Sequence, residues 1–377
     1  MHRFIDEVQG VPSIKVVVFT GGECFMFGKD LDEMVKHAND NGYSTRFVSN
    51  GYWATSRQNA RRRLQKLVDC GLKEANFSTG EQHARFIPPE YVRNGAMAAA
   101  ELGLTSLVAV DSFGDANFNF DDFISEPDFQ KHVDAGTVVL KVSPWMRFNG
   151  KRRIAYTEKY LQQMQQHRSM GVGCATLLKV LACTPSYIMY ACCGLTMEYT
   201  PELQLGSLKE HSIPELLRLA PDDFMKIWVH LHGPDAVLRY AQKLDSTIPT
   251  PRQQAHTCDV CRYIYSNPRI RQLVMQKPPD NMQAIVAEYV QSLFMPTGEL
   301  NSKLSAQMLR AGGDVRKLKA VHKGTRFEED NSPVLREQGG CQTSGGGCGC
   351  GSGSGGGLCG SPGVPSAEED ELHTQAA

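Results

Sequence analysis

The stretch that decides the fold is Phe19-Thr20-Gly21-Gly22-Glu23-Cys24, which closes an apolar run over residues 14–19. The run predicts a β-strand that ends at two glycines and a carboxylate. Parallel α/β folds bind ligands at such strand ends, because the backbone there has left the sheet ladder and is free to contact them. The glycines let main chain approach a small molecule closely, and Glu23 can hold a cation such as an amino-acid ammonium.

Strand-like and helix-like segments alternate around this stretch. The predicted strands are 14–20, 44–49, 74–79, 104–111 and 137–143, and the predicted helices are 29–42, 56–71, 89–103 and 120–134. Glycine, the usual residue just beyond a helix, follows or closes them at Gly42, Gly71, Gly103 and Gly136. Short connections between alternating strands and helices predict an α/β fold with a parallel sheet and right-handed crossovers.

Composition narrows the class of protein. The 377 residues carry a net charge of −1, so no general affinity for polyanions is implied and nucleic acid is not an expected partner. The sequence holds no apolar run of the ~18 residues that a membrane span needs, and residues 1–10 are too polar for a secretory signal. These features predict a cytoplasmic protein without a membrane partner. In that compartment, twelve cysteines favour metal ligation or redox chemistry over structural disulfides.

The second half of the chain divides by composition. Residues 171–265 hold six cysteines, 280–295 have a helical pattern, and 303–326 are polar and increasingly basic. Residues 339–360 contain 12 glycines and 4 cysteines, which cannot form a packed core. The predicted organisation is a barrel-like domain over 1–150, a linker over 151–170, a cysteine-rich domain over 171–300, a basic extension over 301–338 and a disordered tail over 339–377.

Several strand ends match one family in order. Gly21-Gly22-Glu23 corresponds to a Gly-Gly-Glu motif, Ser49-Asn50-Gly51 to the polar end of the next strand, and residues 77–83 with Ser78 to a segment of peptide-modifying members. Over residues 11–155 the chain thereby resembles the radical S-adenosylmethionine (SAM) superfamily. The resemblance implies that SAM is held by Gly21, Gly22, Glu23, Ser49, Asn50 and Ser78. The family commonly has an acid at the position of Gly80, and Glu81 is adjacent to it.

The same resemblance implies a partial (β/α)6 TIM-like barrel, here lacking its first strand. That strand carries the family's Cys-x3-Cys-x2-Cys loop, which is absent from these 377 residues. Three thiolates of that loop hold the [4Fe–4S] cluster that reduces SAM, so this chain is expected to be inactive and no catalytic residue is assigned. Two explanations stay open: an N-terminally shortened copy of an active enzyme, or a degenerate relative that binds a partner.

A second metal site is predicted from Cys258-Asp259-Val260-Cys261, whose spacing lets two thiolates reach one centre. With Cys174 and the pair Cys192/Cys193 upstream, it resembles the small α+β auxiliary-cluster (SPASM or twitch-like) domain of radical SAM peptide and sugar modifiers. The favoured ligands of an auxiliary [4Fe–4S] cluster are Cys174, one of Cys192 and Cys193, Cys258 and Cys261. Zinc, unligated thiols, and Cys183 in place of Cys174 remain alternatives, whereas His230 and His232 are expected to be structural.

The implied activity is reductive cleavage of SAM and radical modification of a substrate, most naturally a peptide. An active form needs an electron-donor protein. The alternative function is a non-catalytic iron–sulfur or zinc relic that recognises a peptide or protein partner. An RNA-modifying radical enzyme is disfavoured by the near-neutral charge. For the glycine-cysteine tail, the expectations are an unstructured extension, a substrate-like segment or metal scavenging.

Overall fold

A computed structural model describes residues 2–9, 11–112, 118–144, 158, 161–162, 165–166, 173–251 and 254–294. All of them belong to one compact unit, Met1–Asp330. The N-terminal part of this unit contains a five-stranded sheet in which every neighbouring pair is parallel, in the order β1-β2-β3-β4-β5. The strands are β1 (Val16–Phe19), β2 (Ser44–Ser49), β3 (Glu74–Gly80), β4 (Thr105–Ser112) and β5 (Val138–Pro144).

Helices connect these strands as the sequence pattern predicts. They are α1 (His2–Glu7), α2 (Lys29–Asp40), α3 (Arg57–Asp69), α4 (Pro89–Glu101), α5 (Phe120–Ile124) and α6 (Pro127–Asp134). Ser56 begins α3 by accepting a hydrogen bond from the Asn59 amide, and Gly71 follows the helix with φ of +98°. The predicted α/β fold with a parallel sheet is confirmed, and its five strands are compatible with a partial TIM-like barrel.

One predicted helix is wrong. Residues 120–134 form two helices rather than one, because the chain turns at Glu126-Pro127. The Glu126 carboxylate accepts hydrogen bonds from the Asp128 and Phe129 amides and so begins α6, with Pro127 at its first position. A proline lacks the amide that a continuous helix would need there, whereas the first turn of a new helix leaves that amide unused.

Aromatic packing fixes which face of the sheet the helices cover. Phe47 of β2 and Phe77 of β3 are fully buried, and their rings meet edge to face with centroids 5.5 Å apart. Helix α4 lies directly on Phe77, since a Cβ added to Gly95 would overlap its ring. Because side chains alternate along a strand, Arg46 and Ser78 lie on the opposite face of the sheet.

In the C-terminal part of the unit, the described residues 173–251 and 254–294 form a three-stranded antiparallel sheet in the order β6-β7-β8 and six α-helices. These elements are β6 (Ala182–Cys183), β7 (Ile188–Tyr190), β8 (Gln204–Ser207), α7 (Ile213–Leu219), α8 (Phe224–His232), α9 (Pro234–Leu244), α10 (Thr257–Ser266), α11 (Pro268–Gln276) and α12 (Met282–Phe294). The helix predicted over 280–295 is confirmed by α12. Residues of this part form a hydrophobic core of their own that includes Trp228, Val260 and Ile264.

Other expectations stay open. The basic extension at 301–338, the tail at 339–377 and most of the linker at 151–170 lie outside the described residues. The domain boundaries therefore stay predictions, as does the cytoplasmic location. Among the helices that the structure describes, none combines the length and the apolar character required to cross a bilayer.

Candidate functional site

The first candidate site lies at the carboxyl edge of the parallel sheet, where Glu23 contacts the end of the neighbouring strand. Its Oε1 accepts hydrogen bonds from the Ser49 hydroxyl at 2.9 Å and the Phe25 amide at 3.0 Å. Its Oε2 accepts one from the Asn50 amide at 2.9 Å. Glu23 also caps the short 3-10 helix Cys24–Phe27. Three of the residues singled out in the sequence, Glu23, Ser49 and Asn50, thus come together.

Ser49 has an internal role that the sequence did not predict. It lies on the helix-covered face with Phe47 and is only 3% exposed. Its hydroxyl donates to Glu23 and accepts hydrogen bonds from the Gly51 amide at 3.1 Å and the Trp53 indole at 2.9 Å. The serine therefore supports the carboxylate from behind and ties the turn after β2 to it.

The remaining predicted SAM-site residues are Gly21 and Gly22, which lie next to open space, and Ser78, which lies on the face of the sheet opposite the helices. A Cβ on Gly21 or Gly22 would meet no atom within 4 Å, and Gly21 has φ of +117°. This backbone is accessible to a small molecule, and the φ of Gly21 favours glycine. Ser78 is partly buried on the face of β3 opposite the helices, where Arg46 also lies.

An acidic and a basic side chain at the same edge, Asp111 and His83, were missed by the sequence analysis. The Asp111 carboxylate, near the end of β4, lies 2.7 Å from His83 Nδ1 and accepts a hydrogen bond from the Gln82 amide. A Cβ on Gly80 would overlap the Asp111 carboxylate and main chain. Asp111 therefore fills the space that a side chain at position 80 would use. Its position at the end of a predicted strand was the available signal. The adjacent Glu81 is buried.

The second candidate site is built around the first turns of α10. Cys258 and Cys261 are three residues apart in this helix and so share a face. His256 begins the helix by accepting a hydrogen bond from the Cys258 amide, and Asp259 accepts one from the His256 amide. The Thr196 hydroxyl bonds to the Cys258 carbonyl at 3.3 Å and connects the upstream cysteine loop to the helix. A helix N-terminus favours thiolates over thiols.

Gly194 shows how close the upstream cysteines come to this helix. A Cβ on Gly194 would lie 3.2 Å from Cys258 Sγ and 3.5 Å from Cys192 Sγ. Both sulfurs therefore surround one point beside the Gly194 backbone, although they come from distant parts of the chain. Any side chain larger than hydrogen would enter the space between them.

The cysteines of this site also influence each other electrostatically. Burial, joined by charge on neighbouring cysteines, raises the pKa of Cys192 and of Cys258 from 9.0 to about 12. Burial and then the charges of Cys174, Cys258 and Cys192 raise the pKa of Cys261 well above its ordinary value. Buried thiols crowded in this way favour a cation that accepts their electrons and displaces their protons.

Cys192 and Cys193 differ in their surroundings. Cys192 is 5% exposed, and its charge raises the pKa of both Cys258 and Cys261. Cys193 is exposed, and its charge is not among the causes that raise the pKa of those two cysteines. Burial and the charge of Cys174 raise the pKa of Cys193, while a main-chain hydrogen bond and the charges of Arg46 and Lys141, on β2 and β5, lower it. Cys193 thus also lies within the electrostatic reach of Cys174, and Cys192 differs from it in its influence on the two cysteines of α10.

Cys174 reaches the site along the end of α8. Its amide donates to the Val229 carbonyl at 3.1 Å, and its carbonyl lies 3.1 Å from His230 Nδ1. A Cβ on Gly173 would overlap the His230 carbonyl, so glycine permits this close approach. His230 therefore has a structural partner. Cys183, the alternative ligand, is exposed in β6 and enters none of these interactions.

A single metal ion and a [4Fe–4S] cluster require different arrangements of the cysteines at this site. Among the side chains that the structure describes, no group of three or more His, Cys, Asp or Glu is arranged to hold a single metal ion. A [4Fe–4S] cluster makes a different demand, because each of its four cysteines binds a different iron. The donor set consists of soft thiols from three separate segments, of which Cys192 is buried and the other three are half-buried, and such a set suits a cluster.

Comparison with known proteins gives one informative similarity. No protein-family model matches the chain. Over 94 residues, 25% of this chain, the sequence is 27% identical to a Bacillus subtilis (strain 168) protein described as "Putative peptide biosynthesis protein YydG". The matched part covers 30% of that protein, so the chain spans less than a third of the length of this relative.

Proposed function

We propose that this chain is a radical-SAM-type protein of peptide modification with an auxiliary iron–sulfur cluster. The carboxyl edge of the sheet holds SAM, and Cys174, Cys192, Cys258 and Cys261 hold a [4Fe–4S] cluster. What supports the proposal is the mutual electrostatic influence of these four thiols, which come from three segments, in a chain whose parallel sheet has Gly21, Gly22 and Glu23 at its edge. The similarity to a peptide biosynthesis protein supports a peptide as substrate.

At the sheet edge, Glu23 is positioned to bind an ammonium group. A carboxylate offers about four lone-pair sites, and the Ser49, Phe25 and Asn50 donors use three of them. The remaining site is on Oε2. The Ser49 and Trp53 contacts fix the carboxylate in advance of binding, which lowers the entropy that a ligand must lose on binding.

Asp111 supplies an acid at the place where the resembled family commonly carries one on β3. Its carboxylate enters the space beside Gly80 from the neighbouring strand and is oriented by His83 and the Gln82 amide. An ionised carboxylate accepts hydrogen bonds from hydroxyl or ammonium groups of a bound molecule. Glycine at position 80 is therefore what allows β4 to provide this group.

The auxiliary cluster would supply one-electron transfer, whereas radical formation from bound SAM would need an electron from a cluster with an open iron, whose three-cysteine loop is absent from these 377 residues. The four cysteines must lose their protons to bind iron, and because burial raises the pKa of Cys258 and Cys261, iron binding must displace protons that the metal-free site retains. Because all four ligands are cysteines, the protein leaves no iron open to substrate. The second site is then suited to passing electrons and shaping the substrate pocket.

Anaerobic reconstitution with iron and sulfide tests the cluster assignment. We expect about four irons and four sulfides per wild-type chain. Cys258→Ser should lose most of both, whereas Cys183→Ser, which alters an exposed cysteine outside the site, should retain them. Zinc without sulfide in the wild type, or equal losses in the two variants, would overturn the assignment and favour a zinc-binding or metal-free module.

Equilibrium dialysis with radiolabelled SAM tests the sheet edge separately. Gly22→Ala adds a methyl group that contacts no protein atom, so folding should be unaffected. The methyl would occupy the side from which the ligand approaches, and SAM binding should weaken at least several-fold. Ser44→Ala, which changes an exposed side chain at the opposite end of β2, is the control for general effects. Equal affinities of wild type and Gly22→Ala would argue against SAM at this edge.

A further inference from the structure

Tyr265, near the end of α10, carries a buried hydroxyl that has no hydrogen-bond partner among the described residues. The side chain is 3% exposed. Its neighbour in the same helix, Tyr263, donates to the Pro249 carbonyl at 3.0 Å, and Tyr240 donates to the Lys277 carbonyl at 2.9 Å. Buried hydroxyl groups are nearly always paired, so an unpaired one indicates a partner that binds from elsewhere.

The position of Tyr265 in the helix identifies the direction of that partner. Tyr265 follows Cys261 by four residues and Cys258 by seven, which puts all three on one face of α10. Long side chains in a helix lean toward its N-terminus, over the preceding turn. The phenol of Tyr265 therefore leans toward Cys261.

The electrostatic surroundings of the hydroxyl agree with this direction. Burial and then the charge of Cys261 raise the pKa of Tyr265 well above its ordinary value. The charges of Asp223 and Glu202 also raise this pKa, by less than Cys261 does, and the charge of Arg271 lowers it. A tyrosine hydroxyl is a hydrogen-bond donor, and Cys261 is the neighbouring charged group with the largest influence on this one.

We propose that Tyr265 is a positioning residue of the second site, whose hydroxyl donates a hydrogen bond to the Cys261 sulfur when that sulfur binds iron. The inference rests on the proposed auxiliary cluster. A thiol sulfur is a weak acceptor, whereas a metal-bound thiolate carries charge and accepts more strongly. In the structure the hydroxyl and the Cys261 sulfur are not in hydrogen-bond geometry, so the proposed bond forms only when iron binding brings the thiolate to the hydroxyl.

Hydrogen bonds to cluster sulfurs set the reduction potential, because they stabilise the more negatively charged reduced form. Tyr265→Phe removes the donor and keeps the ring. We expect the variant to bind the same amount of iron and sulfide as wild type, but with a more negative midpoint potential. We also expect faster loss of iron to a chelator, by several-fold.

The metal-free protein should respond in the opposite sense. Without the cluster the Tyr265 hydroxyl is buried and unpaired, so Tyr265→Phe should leave the metal-free chain at least as resistant to urea as wild type. A hydroxyl needed only for folding would instead give a less resistant variant. Tyr263→Phe is the matched control, since it removes a hydroxyl from the same helix whose partner is a carbonyl, and it should leave the potential unchanged.

The outcomes separate this inference from the proposed function. If wild type and both variants bind no iron and sulfide, the auxiliary cluster and this inference are both overturned. If Tyr265→Phe and wild type bind a cluster with the same potential, the role of Tyr265 is overturned and the cluster stands. If Tyr265→Phe does not keep a cluster, the test is made on the reduced cluster of the wild-type protein. An exchangeable proton that is magnetically coupled to this cluster supports the hydrogen bond, and the absence of such a proton contradicts it.

Discussion

Replacing Ser49 with alanine tests whether the sheet edge is held in place before any ligand binds. The substitution removes one hydroxyl oxygen that makes three hydrogen bonds, to Glu23, Gly51 and Trp53. Alanine is smaller than serine and can adopt the same β-strand conformation, so we expect the backbone of β2 to keep its position. Glu23 keeps its two bonds from the Phe25 and Asn50 amides.

The magnitude follows from what is left unpaired. The buried Gly51 amide loses its side-chain acceptor, which costs about 1–3 kcal/mol for a buried group. The Trp53 indole and Glu23 are partly exposed, and each adds a net loss of about 0.5–1.5 kcal/mol. We expect Ser49→Ala to lower the free energy of unfolding by about 2–6 kcal/mol.

Urea unfolding with linear extrapolation measures this change. Ser44→Ala is the control, because Ser44 begins the same strand with an exposed side chain, and its effect should stay within about 0.5 kcal/mol. Indistinguishable stabilities for the two variants would refute the internal role of Ser49. Ser49 would then act only through a bound ligand.

Three further predictions concern glycines and cysteines. Gly194→Ala should lower the retention of reconstituted iron, measured by metal analysis after gel filtration, because its methyl would lie 3.2 Å from Cys258 Sγ; full retention would contradict the sulfur arrangement. Gly80→Ala should lower the free energy of unfolding by about 2 kcal/mol or more, since its φ is +130° and its methyl would overlap Asp111; a neutral effect in urea unfolding would contradict that close approach. Burial and then Glu23 raise the pKa of Cys24 from 9.0 to about 12, so the metal-free fold keeps a proton that the unfolded chain loses above pH 9.0. Stability should therefore fall from pH 9 toward pH 12, and less steeply in Cys24→Ala; parallel pH profiles would argue against a buried Cys24 thiol.

The sheet was largely predictable from the sequence because each apolar strand is followed by a helical pattern that ends near glycine. All five predicted strands have a counterpart within two residues of the predicted ends. The error at 120–134 has a local cause, since apolar periodicity continued across Glu126-Pro127 although proline at that position begins a new helix. Periodicity is a weaker guide than such stop and start signals.

The sites were less predictable because they depend on which face of a strand each side chain takes. The sequence grouped Glu23 with Ser49 through their strand ends, but did not predict that Ser49 faces the helices. Asp111 was missed because its contact with Gly80 joins two strands. The choice between Cys192 and Cys193 also depends on the folded structure. The two cysteines are adjacent in sequence, so their spacing to α10 does not distinguish them, whereas the surroundings of their side chains do.

X-ray diffraction from anaerobically reconstituted crystals, with anomalous differences recorded on both sides of the iron and zinc absorption edges, would test the central proposal most directly. The account predicts iron within bonding distance of Cys174, Cys192, Cys258 and Cys261, with Cys193 unligated. Zinc at this position, iron bound by Cys193, or no metal among these four cysteines would contradict it.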